Sequence, residues 1–175
     1  MIATRLFWID EPWPYAGRLA VSARPYGGEW LDDEVHGWRG TIGSNGLVVS
    51  LLTPDEEEHL GLQREREACA VNGLEYVSFP IVDRSIPNSD QDAVRLIETI
   101  DSRLRAGKNA LVHCRQGLGR SGVIACGVLI KNGVPAEEAV TRWTGVRGAQ
   151  VPETPRQRLW LDELPAHLSA TSVRI

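Results

Sequence analysis

The segment from His113 to Gly122 holds the residue types best suited to chemistry in this sequence. It reads HCRQGLGRSG and lies between a short apolar run and a longer one. Glycines in such a turn let several backbone N–H groups approach one anion, and a following helix adds the positive end of its dipole. We therefore predict an anion-binding loop, formed by Arg115, Gln116, Gly117, Leu118 and Gly119.

Cys114 is the candidate nucleophile, because it stands at the start of this loop. The positive field of the loop and the helix N-terminus favours the thiolate, which is the reactive form of cysteine. Arg120 follows after five intervening residues, and its guanidinium is predicted to hold two oxygens of one tetrahedral oxyanion. Ser121 is predicted to hydrogen-bond the sulfur and to assist its departure in a second step.

A candidate acid lies in another part of the chain. Asp83 follows a predicted strand in a loop bounded by prolines, so it should reach the same edge of the sheet and protonate a leaving oxygen. The same carboxylate could then act as base toward water. Asp90 and Asp92 compete for this role, but both have the pattern of first-turn helix acids. Gln157 is predicted to position the water, and His113 to brace the loop.

The elements that must position these residues alternate along the chain. Apolar runs and turn signals predict strands at 18–25, 47–52, 74–80 and 110–113. Helical patterns and caps predict helices at 31–42, 54–71, 88–105, 120–131, 136–143 and 155–168. Such alternation is typical of an α/β fold with a mostly parallel sheet, in which ligands bind beyond the carboxyl ends of the strands.

The composition limits the class of protein. With 175 residues the chain should form one domain, 1–175, in which 1–17 make an arm before the first strand. A net charge of −4 argues against broad binding to nucleic acid. The chain has no apolar run of about eighteen residues that would span a membrane. The apolar patch near the N-terminus contains Asp10 and Glu11, unlike a secretory signal.

Three cysteines, Cys69, Cys114 and Cys126, have no metal-like spacing and fit free thiols in a reducing compartment. We therefore expect a cytoplasmic protein. Nothing in the sequence calls for a metal or an organic cofactor. Cys69 and Cys126 fall on predicted helices and are interpreted as core residues.

His113 to Ser121 resembles the phosphate-binding signature of the protein tyrosine phosphatase superfamily, and its G-x-G-R-S ending is similar to the dual-specificity branch. Within that branch the sequence most resembles the kinase-associated (cyclin-dependent kinase inhibitor) phosphatases. Further support comes from Pro80-Ile81-x-Asp83 with Pro87 following, and from Arg147-Gly148 ahead of Thr154-x-x-Gln157.

This resemblance implies a four- or five-stranded parallel sheet flanked by helices, metal-free catalysis and a cysteinyl-phosphate intermediate. It assigns Cys114 as nucleophile, Arg120 as phosphate-binding residue and Asp83 as general acid. The expected partner is a phosphorylated protein or a small phosphate. The sequence lacks an obvious loop to deepen the pocket for phosphotyrosine and lacks a recognisable cyclin-kinase docking element, so the choice of substrate stays open.

Four other functions fit parts of this pattern. A phosphoinositide or small-molecule phosphatase on the same scaffold is the nearest one, although the loop is not rich in lysine. A sulfurtransferase of the rhodanese type would need no acid such as Asp83. A phospho-binding module would be expected to lack the cysteine, the arginine or the acid. Gly117-x-Gly119-x-x-Gly122 also fits a dinucleotide-binding pattern, but Cys114 to Gln116 separate it from the strand that should directly precede it.

Overall fold

A five-stranded sheet forms the centre of the computed structural model, which describes residues 4–9 and 13–172. Its strands are β1 (Phe7–Trp8), β2 (Leu19–Ser22), β3 (Leu47–Ser50), β4 (Glu75–Ser78) and β5 (Ala110–His113). The spatial order is β1-β2-β5-β3-β4, with β2, β5, β3 and β4 parallel and β1 antiparallel at one edge. The predicted α/β fold with a mostly parallel sheet is therefore confirmed.

Seven α-helices flank this sheet in the described part of the chain. They are α1 (Leu31–Ile42), α2 (Pro54–Leu60), α3 (Glu65–Val71), α4 (Asp90–Arg105), α5 (Gly119–Lys131), α6 (Ala136–Arg147) and α7 (Pro155–Ser172). A short 3-10 turn, Gly28–Trp30, leads into α1. None of these helices combines the length and apolarity needed to cross a membrane, a statement limited to the residues described above.

Two apolar layers cover the two faces of the sheet, because alternate strand residues point to opposite sides. In β5, Val112 packs into the larger layer beneath α4, α5, α6 and α7, while Leu111 packs into the smaller layer beneath α1 and α3. Helix α5 is buried over nearly its whole length. The residue that begins α5 and the residue that ends β5 are consequently fixed by the core, which makes the loop between them a rigid place for chemistry.

The predicted single helix over 54–71 is wrong, because the structure divides it into α2 and α3. Gly61 ends α2 in the left-handed conformation (φ 67°), which glycine adopts without strain. Leu62 then enters the core, and α3 starts three residues later. The predicted helix start at residue 54 is correct, because α2 begins there. Thr53 and Glu56 form a reciprocal capping box at this end of α2.

The N-terminal arm contains a strand that the sequence pattern did not predict. Phe7 pairs with Val21 and Trp8 with Ala20, so β1 extends the sheet beyond β2. The rest of the predicted arm is described only in part, since residues 1–3 and 10–12 lie outside the described residues. Helices α6 and α7 also run further than predicted, and α6 ends at a left-handed Gly148.

Candidate active site

The anion-binding loop connects the central strand β5 to the buried helix α5. Cys114 follows β5 directly, and Gly119 is the first residue of α5. On one side the N–H of Leu51 donates to the His113 carbonyl at 3.0 Å, and on the other the N–H of Arg24 donates to the Arg115 carbonyl at 3.4 Å. The ends of β3 and β2 therefore hold both flanks of the loop at the carboxyl edge of the sheet.

The sulfur of Cys114 faces the inside of the loop. The backbone N–H of Gly117 points at Sγ from 3.3 Å, and the Ser121 hydroxyl lies 3.4 Å from the same atom. Cys114 is only 2% exposed. A thiolate in this position has donors available from both the loop and the first turn of α5, as the sequence predicted for Ser121.

Gly117 is required by the path of the loop. Its φ is 71°, in the left-handed region, and a Cβ at this residue would lie 2.5 Å from the backbone of Ser22. No side chain fits there, because the obstacle is the end of β2 rather than a movable group. Leu118 packs against the larger core layer, so it anchors the loop from below.

Arg147, at the end of α6, holds the outside of the same loop. Its Nε donates to the Gly117 carbonyl at 2.7 Å and its Nη2 donates to the Gln116 carbonyl at 3.1 Å. The guanidinium also lies 3.7 Å from the ring centroid of Phe7. By turning these carbonyls outward, Arg147 leaves the N–H groups free to face the anion site.

Arg120 is nearly fully buried (1% exposed) and has several oxygen partners. Nη1 and Nη2 bind Glu56 at 2.6 and 2.9 Å, Nη1 also donates to the Ile81 carbonyl at 2.9 Å, and Nη2 lies 2.9 Å from Asp83 Oδ1. Burial by itself lowers the pKa of Arg120, but the bonds to Glu56 and the charge of Cys114 outweigh it and raise that pKa. The guanidinium thus stays charged and fixed in orientation.

Glu56 is a site residue that the sequence analysis missed. Its position among the acidic residues that follow Pro54 indicates only a helix start, and in the structure it accepts the Thr53 N–H at 3.1 Å. Burial alone raises the pKa of Glu56, but Arg120 and then Thr53 lower it overall. One carboxylate therefore closes the first turn of α2 and orients the arginine.

Asp83 reaches the site from the loop after β4. Its carboxylate is about half exposed and contacts Arg120. The competing carboxyls point elsewhere: Asp90 accepts from Trp160 Nε1 at 2.7 Å, and Asp92 pairs with Arg95 at 3.1 Å. Of the three predicted acid candidates, only Asp83 contacts the arginine of the loop.

Gln157 is buried, and its side-chain amide makes three hydrogen bonds to the backbone. Oε1 accepts from the N–H groups of Glu153 and Thr154, both at 3.2 Å, and Nε2 donates to the Ser85 carbonyl at 2.9 Å. Gln157 consequently ties the turn before α7 to the loop that carries Asp83. Its predicted role in positioning water stays a prediction.

His113 lies on the α1–α3 side of the sheet, away from the sulfur. Its Nε2 is 2.8 Å from Glu65 Oε1, with both side chains fully buried, and its ring lies beside Trp38 at 5.8 Å between centroids. Its backbone carbonyl binds Leu51, as described above. These contacts hold the strand end from which the loop starts, which fits the predicted bracing role.

A cleft of about 140 Å³ opens above the sulfur. It is lined by Asp83, Arg84, Cys114, Arg115, Gln116 and Glu153. Two of the predicted anion-binding residues, Arg115 and Gln116, thus form part of its wall. Gly117 donates its N–H to the Cys114 sulfur, and Gly119 begins α5. Among the described residues, no group of three or more His, Cys, Asp and Glu side chains is arranged to hold a metal ion.

Residues 44–134 match the family described as "Polymorphic toxin system, DSP-PTPase phosphatase". This segment covers more than half of the chain and includes β3, β4, β5, the loop and α5. The chain therefore belongs to this family of dual-specificity and tyrosine phosphatases, as the motif around Cys114 predicted. A tyrosine phosphatase designated 197R, of Invertebrate iridescent virus 6, is 32% identical over 77 residues. The match covers 42% of this chain and 29% of the viral protein, so the chain spans under a third of that relative.

Solved structures show the same fold over nearly the whole chain. The kinase associated phosphatase (KAP), crystallised with its catalytic cysteine replaced by serine, superposes with a TM-score of 0.88 at 18% identity, covering 97% of this chain and 98% of KAP. The active form of Tk-PTP gives 0.69 at 27% identity, with 97% of each chain covered. PTPMT1 gives 0.75 at 17% identity, covering 98% and 100%. The expected similarity to the kinase-associated phosphatases is thus confirmed as one of fold.

Proposed function

We propose that this protein hydrolyses phosphate monoesters in two steps, through a phosphate covalently bound to Cys114. The observation that carries the proposal is the convergence of three groups at one cleft. The Gly117 N–H donates to the sulfur of Cys114, the Arg120 guanidinium interacts electrostatically with that sulfur, and the Asp83 carboxylate contacts the same arginine.

In the first step the Cys114 thiolate attacks phosphorus and the bond to the leaving oxygen breaks. Arg120 and the loop N–H groups stabilise the negative oxygens, and protonated Asp83 gives its proton to the leaving alcohol. In the second step water attacks phosphorus and the S–P bond breaks. The electron pair returns to sulfur, where the Ser121 hydroxyl, 3.4 Å away, stabilises the thiolate.

The proposed substrates are phosphoproteins with phosphotyrosine, phosphoserine or phosphothreonine. The family to which the chain belongs supports this choice. A phosphoinositide is less favoured, because the cleft offers two arginines, Arg84 and Arg115, but also the acidic Glu153, which opposes binding of a second phosphate. PTPMT1 has been solved in complex with PI(5)P, and its similarity of 17% identity to this chain supports the fold alone. We further propose a cytoplasmic location and no nucleic-acid or membrane partner, on the grounds of acidic charge and free cysteines.

The test compares the wild type with Cys114→Ser on an aryl phosphate and on peptides carrying each phosphorylated residue, with inositol phosphates in parallel. We expect Cys114→Ser to lose turnover while still binding the preferred substrate. Arg120→Lys should lose at least about a hundredfold in kcat/KM, because it keeps the charge but not the two-pronged grip. Cys126→Ala, at a buried thiol of α5 away from the cleft, is the control and should stay active. Turnover by Cys114→Ser would refute the mechanism.

A further inference from the structure

Glu153 places a second carboxylate in the active-site cleft. It lies in the turn between α6 and α7 and lines the cleft together with Asp83 and Cys114. Its Oε2 lies directly over Gly119, so close that a Cβ on that glycine would collide with it. The carboxylate thus contacts the end of the anion-binding loop where α5 begins.

The backbone of Glu153 is fixed while its carboxylate is left available. Gln157, fully buried, accepts the N–H of Glu153 and of Thr154 and is itself tied to Ser85. Within residues 4–9 and 13–172, the Glu153 carboxylate makes no hydrogen bond or ion pair, and the hydrogen bond of this residue comes from its backbone N–H. Asp83, by contrast, is bound to Arg120.

A carboxylate beside an anion-binding loop weakens phosphate binding, since like charges repel. A carboxylate placed in the cleft next to the nucleophile, without a partner of its own, is a candidate for proton transfer in the reaction. The second step of the proposed reaction needs a base for the attacking water. Gln157 cannot take a proton, and three of its hydrogen-bonding positions are already occupied.

We propose that Glu153 is the base of this second step, and the inference rests on the function proposed above. The water oxygen forms a bond to phosphorus, its proton moves to the Glu153 carboxylate, and the S–P bond breaks with its electron pair returning to Cys114. Asp83 then serves chiefly as the acid of the first step. The two proton transfers are divided between two carboxylates on different loops.

Rapid-mixing kinetics with an aryl phosphate separate the two steps, since the first releases the aryl alcohol and the second frees the enzyme. In Glu153→Gln we expect a burst of alcohol approaching one equivalent per enzyme at the wild-type rate, followed by steady-state turnover slowed at least about tenfold. Acid quenching of this variant with labelled substrate should trap phosphate on Cys114. In Asp83→Asn the first release itself should slow when the aryl phosphate carries a weakly acidic phenol.

Glu163→Gln is the matched control, because it removes an exposed carboxylate from α7 without touching the cleft. It should behave as the wild type. The proposal is overturned if Glu153→Gln turns over at the wild-type rate, or if its first release slows as much as its steady state. Wild-type-like turnover in Glu153→Gln alongside a slow Glu153→Ala would also overturn it, since the residue would then only orient the water. Refutation of the function proposed above would give a different result, because Cys114→Ser would then release alcohol at the wild-type rate.

Discussion

Arg120 and Glu56 are joined by two hydrogen bonds, from Nη1 to Oε2 at 2.6 Å and from Nη2 to Oε1 at 2.9 Å. The arginine comes from the first turn of α5 and the glutamate from the first turn of α2. A guanidinium held in this way cannot rotate about its long side chain, so its Nε–H and the Nη2–H that contacts Asp83 are oriented before any anion arrives. Binding a phosphate then costs less conformational entropy.

Replacing Glu56 by Gln should therefore weaken both binding and stability. The charged partner of a buried arginine is lost, which costs about 1.5–3 kcal/mol of unfolding free energy. Affinity for vanadate or phosphate should fall roughly tenfold as the arginine gains freedom. Isothermal denaturation and inhibition by vanadate measure the two effects. Glu58→Gln, exposed on the same helix, is the control, and equal behaviour of the two variants would contradict the positioning role.

Acid should remove the contribution of Glu56 to stability. Its pKa is lowered on folding, because Arg120 and Thr53 outweigh the effect of burial. A carboxyl of this kind stabilises the fold fully above its unfolded pKa of about 4.3, and the stabilisation is lost as pH falls through the lower folded value. The difference in Tm between wild type and Glu56→Gln should be largest at neutral pH and shrink below about pH 4. A difference that does not change with pH would contradict the ion pair.

The acid role of Asp83 should appear as a dependence on the leaving group. Asp83→Asn should lower kcat by roughly a hundredfold on phosphopeptides, whose alcohols leave poorly without a proton. The loss should be much smaller on an aryl phosphate with a strongly acidic phenol. Steady-state rates across a series of phenols give the slope. Asp33→Asn, an exposed change in α1, should leave the slope as it is; a slope unaltered in Asp83→Asn would exclude this residue as the acid.

Gly117→Ala should lower the stability of the protein by more than the usual penalty for an alanine in a left-handed conformation. The new Cβ would meet the backbone of Ser22, which cannot move aside without shifting β2. Gly73→Ala is the matched control, because its φ of 68° is nearly the same and nothing lies within 4 Å of the added carbon. The control should lose about 1 kcal/mol, and Gly117→Ala should lose more and also lose activity. Equal losses of stability in the two variants would mean that the contact with β2 is unimportant.

The three thiols should differ in reactivity. Burial, and then the charge of Glu65, raise the pKa of Cys69 to about 12, and burial raises the pKa of Cys126 further still. Iodoacetate at neutral pH should therefore modify Cys114 alone, with protection by vanadate. Mass spectrometry of digested protein locates the label. Labelling of Cys69 or Cys126 at a similar rate in native protein would contradict this assignment.

The nucleophile loop could be predicted from the sequence because its parts are local. Cys114, Arg120 and Ser121 lie in one short segment, and the strand before it and the helix after it are marked by apolar patterns. Asp83 could be found by a rule of topology, since parallel strands end at the same edge of the sheet.

Residues that act from distant elements could not be found in this way. Glu56 had a sufficient local explanation as a helix cap, which hid its contact with Arg120. Arg147 and Glu153 meet the loop only because α6 packs along α5 and the following turn passes over Gly119. The break at Gly61 was missed because a glycine in a polar stretch is compatible with either a continued helix or a helix end. Each of these features depends on packing between segments, which residue spacing does not encode.

The stacking of Phe7 on Arg147 affects when the anion-binding loop can reach its final structure during synthesis. A nascent chain that has been translated through α5 already contains every residue of the loop, and its N-terminal strand has long been made. The arginine that turns the loop carbonyls outward is translated only with the end of α6, and it needs the aromatic ring from β1 to lie against. We therefore expect the loop to reach its final form only after α6 has been translated and has packed beside β1.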